Sequence, residues 1–106
     1  MASFTLEYLK KHGSLKHFFD SAYPKTCLSI TQNWFEIGSD GFEWVIGTPT
    51  SIQQCATMAI SQFPNRQLWG VNYIECAEYP TCSAEFGDHR SSAIEAPGND
   101  FCRLLR

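Results

Sequence analysis

"TCLSITQNWFEIGSDGFEWVIG", residues 26–47, decides how the rest of the chain is read. It is rich in β-branched and aromatic residues, and Asp40-Gly41 is the dipeptide that favours a tight type I′ turn, so the stretch predicts a β-hairpin. With Asp40 and Gly41 as the loop, Ile37 faces Trp44 and Phe35 faces Ile46. That register puts Phe35, Ile37, Phe42, Trp44 and Ile46 on one side, the expected core stripe. A turn at Ser39-Asp40 would instead set Glu36 against Glu43, a like-charge pair that costs stability. The Asp-Gly register is preferred, and its opposite side carries Trp34, Glu36, Glu43 and Val45.

Downstream, "TPTSIQQCATMAISQFPN", residues 48–65, predicts the main helix, begun either by Thr48-Pro49 or by Ser51 with Gln54 as a capping box. Ile52, Cys55, Ala56, Ala59, Ile60 and Phe63 recur at helical spacing and form a stripe that should lie on a sheet. "QLWGVNYIEC", residues 67–76, reads as a strand with Trp69, Val71 and Tyr73 on one side and Leu68, Ile74 and Cys76 on the other. Large residues on both sides suggest an interior strand covered twice. "SAEF", "SSAIEA" and "DFCRLLR" can each supply a further short strand between turn residues.

Upstream, Phe4, Leu6, Tyr8 and Leu9 suit a short helix ended by Gly13, and Leu15, Phe18 and Phe19 a second one stopped before Pro24. These helices are the expected second cover of the sheet. The resulting fold class is α+β: N-terminal short helices, a β-hairpin and one main amphipathic helix packed on an antiparallel sheet. An NTF2-like α+β cone is the alternative that the order of elements allows, although no motif carries a family resemblance.

The chain has 106 residues, 43% of them apolar and 14% aromatic, which is one globular domain, residues 1–106, with enough apolar surface for a core. A net charge of −3 argues against nucleic acid, whose binding rests on Lys and Arg neutralising phosphates. No apolar run reaches membrane-spanning length, and no apolar region follows a basic start, so the expected address is cytoplasmic, with no membrane partner. In that compartment the five cysteines stay reduced, and an odd number cannot all pair within one chain.

Four groups of residues compete as sites. Cys76, Cys82, His89 and Cys102 have the stoichiometry of a Cys3His zinc site but lack the close ligand pairs such sites use, so neither metal nor cofactor is assigned. Cys55 sits in the first turns of the predicted helix, where the dipole can activate a thiol, yet it also fits the apolar stripe. "EFGDHRSS", residues 85–92, gathers acid, base and hydroxyl groups without the context of a catalytic motif, and reads as a solvated loop. Trp34, flanked by Glu36 and Glu43 and followed on the same face by Val45, is the binding candidate, a rigid aromatic for a basic protein partner unless helices cover it.

The leading expectation is a small noncatalytic module that binds or inhibits another protein, with a homo-oligomer as a further option. A small-ligand pocket lined by Tyr73, Trp44 or Trp69 comes second, and a Cys-dependent enzyme third.

Overall fold

The computed structural model of the chain describes residues 26–75 and 81–105. They form seven strands and one helix: β1 (Ser29–Thr31), β2 (Trp34–Gly38), β3 (Phe42–Trp44), α1 (Ile52–Gln62), β4 (Leu68–Ile74), β5 (Thr81–Phe86), β6 (Arg90–Glu95) and β7 (Asn99–Arg103). Five strands make one antiparallel sheet in the order β1-β7-β4-β5-β3, and β2 pairs with β6 in a separate two-stranded ribbon. With 47% strand and a single helix, the described residues are mostly antiparallel β, which corrects the expected α+β fold of several helices on a sheet and its cone-shaped alternative. The predicted N-terminal helices lie outside the described residues.

The decisive correction concerns residues 34–44. A turn does form at Ser39 and Asp40, and Gly41 takes the positive φ of 84° that the sequence anticipates. It does not close a hairpin. β2 runs antiparallel to β6, from Trp34 opposite Glu95 to Gly38 opposite Arg90, and β3 continues the same partnership along β5, from Phe42 opposite Glu85 to Trp44 opposite Ser83. Two long chain segments, 34–44 and 83–95, therefore pair throughout and bend together at a shared corner. Strands that pass from one sheet to another do so at bulges or bends, and a register shift marks this one between Ile37 and Gly38.

Backbone bonds from Ser39 N–H to His89 O (3.0 Å) and from Asp40 N–H to Phe86 O (2.9 Å) hold the corner. A Cβ on Gly38 would sit 2.2 Å from the Phe86 carbonyl oxygen, so only glycine permits the approach. Asp-Gly supplies backbone freedom that serves a corner as well as a hairpin, and sequence alone does not separate the two.

α1 forms where its spacing places it. The Ser51 hydroxyl caps it by accepting from Gln54 N–H at 3.1 Å, and Cys55, Ala56, Ala59 and Ile60 are buried against the sheet. Two alanines on that stripe let the helix lie close to Val71, Tyr73, Cys82, Ala84, Phe86, Cys102 and Leu104, which alternate along β4, β5, β7 and the residue after it. β4 is an interior strand, as expected, but its faces differ from the expected division. A bulge between Leu68 and Gly70 turns Leu68 into the helix-side core, whereas the indole of Trp69 reaches Glu36 on β2.

Two disulfides cross the structure. Cys27, before β1, bonds to Cys102 on β7, and Cys55 on α1 bonds to Cys82 on β5, with Cα atoms 5.3 and 5.7 Å apart. These bonds form and persist in an oxidising compartment, outside the cell or along a secretory route, so the expected reduced cysteines and cytoplasmic address are both corrected. Cys76 lies outside the described residues. No helix among the described residues is long and apolar enough to cross a membrane.

Candidate functional site

The five-stranded sheet has an apolar face under α1 and a polar face under the β2–β6 ribbon. Asn72, Ser83, Glu85 and Asn99 point toward the ribbon and are all buried. Their polar groups replace a ladder between the layers: Glu36 N–H donates to Asn72 Oδ1 at 3.2 Å, Asn72 Nδ2 to Glu36 O at 2.8 Å, Asn99 Nδ2 to Trp34 O at 2.7 Å, and Gly38 N–H to Glu85 Oε1 at 3.2 Å. Backbone groups of β2 that a ribbon would otherwise bury unpaired are thereby satisfied.

Two carboxylates sit in this layer under different conditions. Glu36, 7% exposed, accepts the indole N–H of Trp34 at Oε2 and that of Trp69 at Oε1, each at 2.8 Å, with Arg90 Nη1 at 3.5 Å from Oε2. Three donors, one of them a cation, compensate its charge. Glu85, 1% exposed, accepts from Gly38 N–H and from the Ser83 hydroxyl at 3.1 Å, and among the described residues no cation pairs with it. Burial pushes its carboxyl pKa up, and the bonds from Gly38, Ser83 and Asn72 oppose that rise without cancelling it.

Exposed apolar residues are scattered over Ile30, Ile37, Ile74 and Ile94, but three others adjoin one another on β3 and just beyond it. Phe42, Trp44 and Ile46 are 52%, 61% and 82% exposed, and the Phe42 and Trp44 rings meet edge to face at 5.6 Å. With Glu43, Gln62 and Phe63 they line an open groove of about 780 Å³ between the sheet edge and the end of α1. β3 is the last strand of its sheet. Phe86 N–H donates to Gly41 O and Val45 N–H to Cys82 O, both at 2.8 Å, so by two-residue alternation Phe42 and Trp44 turn their own N–H and C=O away from β5. Among the described residues no strand takes up those groups.

The sequence-derived candidates are dispersed. Trp34 is half-buried and donates to Glu36 in the interlayer, Val45 is buried under α1, and of the four only Glu43 is exposed. The expected core stripe is inverted: Ile37, Phe42, Trp44 and Ile46 are exposed, while Glu36 and Val45 are inside. The proposed zinc ligands do not meet either, since Cys82 and Cys102 belong to different disulfides and His89 is exposed beside Asp88. Nor can Cys55 be a nucleophile, because its sulfur is bonded to Cys82 in the core.

Residues 85–92 are not one loop: Glu85 to Gly87 are buried, Arg90, Ser91 and Ser92 are exposed on β6, and Asp88 and His89 are exposed at the corner. There the His89 ring lies 2.6 Å from Asp88 and holds that carboxyl below its ordinary pKa. Asn72, Ser83 and Asn99 are structural residues that no local sequence motif marks. For Ser83 the signal is the alternation Cys82-Ser83-Ala84-Glu85-Phe86, which looks like one wet face and is in fact two buried ones.

No protein-family model, curated protein or solved structure matches this chain.

Proposed function

We propose that the protein is a noncatalytic binding module that captures an extended segment of another protein along the β3 edge. The observation that carries this reading is the outward-facing backbone of Phe42 and Trp44 beneath an exposed aromatic pair. An incoming strand gains main-chain hydrogen bonds from such an edge, and the side chains beside it give selectivity. Natural edges are commonly blunted with Lys or Pro, and Gly41 to Ile46 contains neither.

Charge defines the partner further. Among the described residues Glu43 is the one charged residue lining the groove, so the complementary segment carries Lys or Arg at the facing position and apolar residues toward Phe42 and Trp44. A second copy of the chain fits less well. Two-fold pairing that uses both Phe42 and Trp44 sets Glu43 opposite its own copy, a like-charge contact.

A displayed library of extended peptides tests the reading. The oxidised protein should select segments that alternate apolar residues with a basic one, and N-methylating the pairing amides should abolish binding. A Phe42→Lys/Trp44→Lys variant that keeps both disulfides should select none. Selection of nothing by the wild type, or equal binding by the variant, contradicts the proposal; a concentration-dependent dimer through β3 would transfer the edge to self-association.

A further inference from the structure

We propose that a second site, remote from the β3 edge, binds a small anion: a carboxylate or phosphate group carried on a molecule no larger than a monosaccharide. The place is a cleft of about 350 Å³ under the β2–β6 ribbon, at the β1 side of the sheet, lined by Glu36, Trp69, Arg90, Phe101, Arg103 and the β1 hydroxyls of Ser29 and Thr31. Its volume is at the small end of ligand pockets.

The charge distribution supports the assignment. The chain carries a net −3, yet two of the three Lys or Arg residues in the described parts, Arg90 and Arg103, line this one cleft, and Arg66 is the third. Glu36, the cleft's acid, is already compensated by two indole donors and Arg90. Arg103 is not: among the described residues no carboxylate pairs with it. Its guanidinium is nevertheless held in place, 4.9 Å from the centre of the Trp69 ring, with Nε donating to Leu105 O at 2.8 Å. That bond uses one donor and leaves the terminal nitrogens of a planar fork, the geometry that binds carboxylate or phosphate oxygens two at a time.

The ring beneath Arg103 belongs to the same Trp69 whose N–H bonds Glu36, so the acid, the indole and the cation form one continuous wall. Ser29 and Thr31, both exposed on the edge strand β1, face the remaining side with hydroxyls that can donate to an anion. An uncharged sugar would leave the Arg103 charge unanswered, which is why the ligand is taken to be anionic.

The test uses the full oxidised chain and heteronuclear NMR of the arginine and indole N–H signals, titrated separately with inorganic phosphate, glucuronate and glucose. Saturable shifts at Arg103 and Trp69 with glucuronate assign a carboxylate ligand, and with phosphate a phosphorylated one; glucose should move neither. Arg103→Gln should weaken binding about tenfold or more while the indole signals of Trp34 and Trp69 report an intact interlayer. Arg103→Lys, which keeps the charge without the fork, should fall between, and Arg66→Gln should bind as the wild type does. No saturable response to either anion, an equal response to glucose, or unchanged binding by Arg103→Gln would overturn the proposal, as would matching shifts at Arg66.

Discussion

The side-chain amide of Gln62, at the end of α1, holds both backbone polar groups of Ile46: Ile46 N–H donates to Gln62 Oε1 at 2.8 Å, and Gln62 Nε2 donates to Ile46 O at 2.5 Å. The helix thus occupies the position a neighbouring strand would take, and it does so one step past β3. What remains open is the pair of residues before it, Phe42 and Trp44, which sets the length of the proposed docking edge.

Gln62→Ala should extend that edge by one residue pair. The Ile46 amide then exchanges with solvent faster, read by hydrogen exchange, and stability falls by about 1 kcal/mol, the net worth of exposed hydrogen bonds of this kind. Unchanged Ile46 exchange would show that the cap does not persist in solution.

Trp44 and Trp34 should respond differently to substitution. Trp44→Ala removes an exposed ring, so the unfolding free energy should change by no more than roughly 0.5 kcal/mol while peptide capture is lost. Trp34→Phe takes a donor from the buried Glu36 carboxylate and should cost about 1–3 kcal/mol with capture retained once the fold is secured. Denaturant titration of both variants, beside the binding assay, separates the two roles.

Glu36 and Glu85 are two buried glutamates of opposite expected sign. Glu36 accepts from three donors, and an amide there would set N–H against N–H, so Glu36→Gln should destabilise by roughly 1–3 kcal/mol. Glu85 has its folded pKa raised by burial, so the native state holds the proton more tightly than the unfolded chain. Its stabilising share is therefore fully present below the ordinary glutamate pKa and is lost as pH rises through the raised folded value. Glu85→Gln should flatten that decline and be at least as stable as the wild type at neutral pH. A steeper decline in the variant would contradict the assigned environment.

The disulfides should carry much of the stability. A chain-entropy treatment gives roughly 3.5 kcal/mol for Cys55–Cys82 and roughly 4.5 kcal/mol for Cys27–Cys102, whose sequence separations are 27 and 75. The Cys55→Ala/Cys82→Ala variant should accordingly unfold at markedly lower denaturant. Mass spectrometry of the unreduced chain should show one hydrogen fewer for each bonded cysteine, and alkylation without reductant should leave all four unmodified. Labelling of Cys55 in the native oxidised protein would contradict the buried bond.

The sequence was informative where a signal is local. The capping box at Ser51 and the stripe through Cys55, Ala56, Ala59 and Ile60 located α1, and the alternation in 67–76 located an interior strand. Non-local pairing was not legible. Asp40-Gly41 prescribes a sharp change of direction, but nothing near it says that 34–44 pairs with 83–95, and a one-step change of pairing moves every side chain to the other face. Hence the local pattern puts Phe42 and Trp44 on the core stripe and Glu36 on the opposite face, the reverse of where the pairing sets them. The buried Glu36 is intelligible only with Trp69 and Arg90 beside it, residues that sequence separation hides. The cysteines mislead because pairing is non-local: an odd count favours thiols, whereas spatial proximity pairs four of them.

Backbone hydrogen exchange at β3, followed by NMR with and without a library-selected peptide, tests the docking edge most directly. In the free protein the amides of Glu43 and Val45, bonded to β5, should be protected, whereas those of Phe42 and Trp44 exchange freely; in the complex Phe42 and Trp44 should become protected as well. Protection of Phe42 and Trp44 already in the free protein, or no gain in protection on peptide binding, would contradict the account.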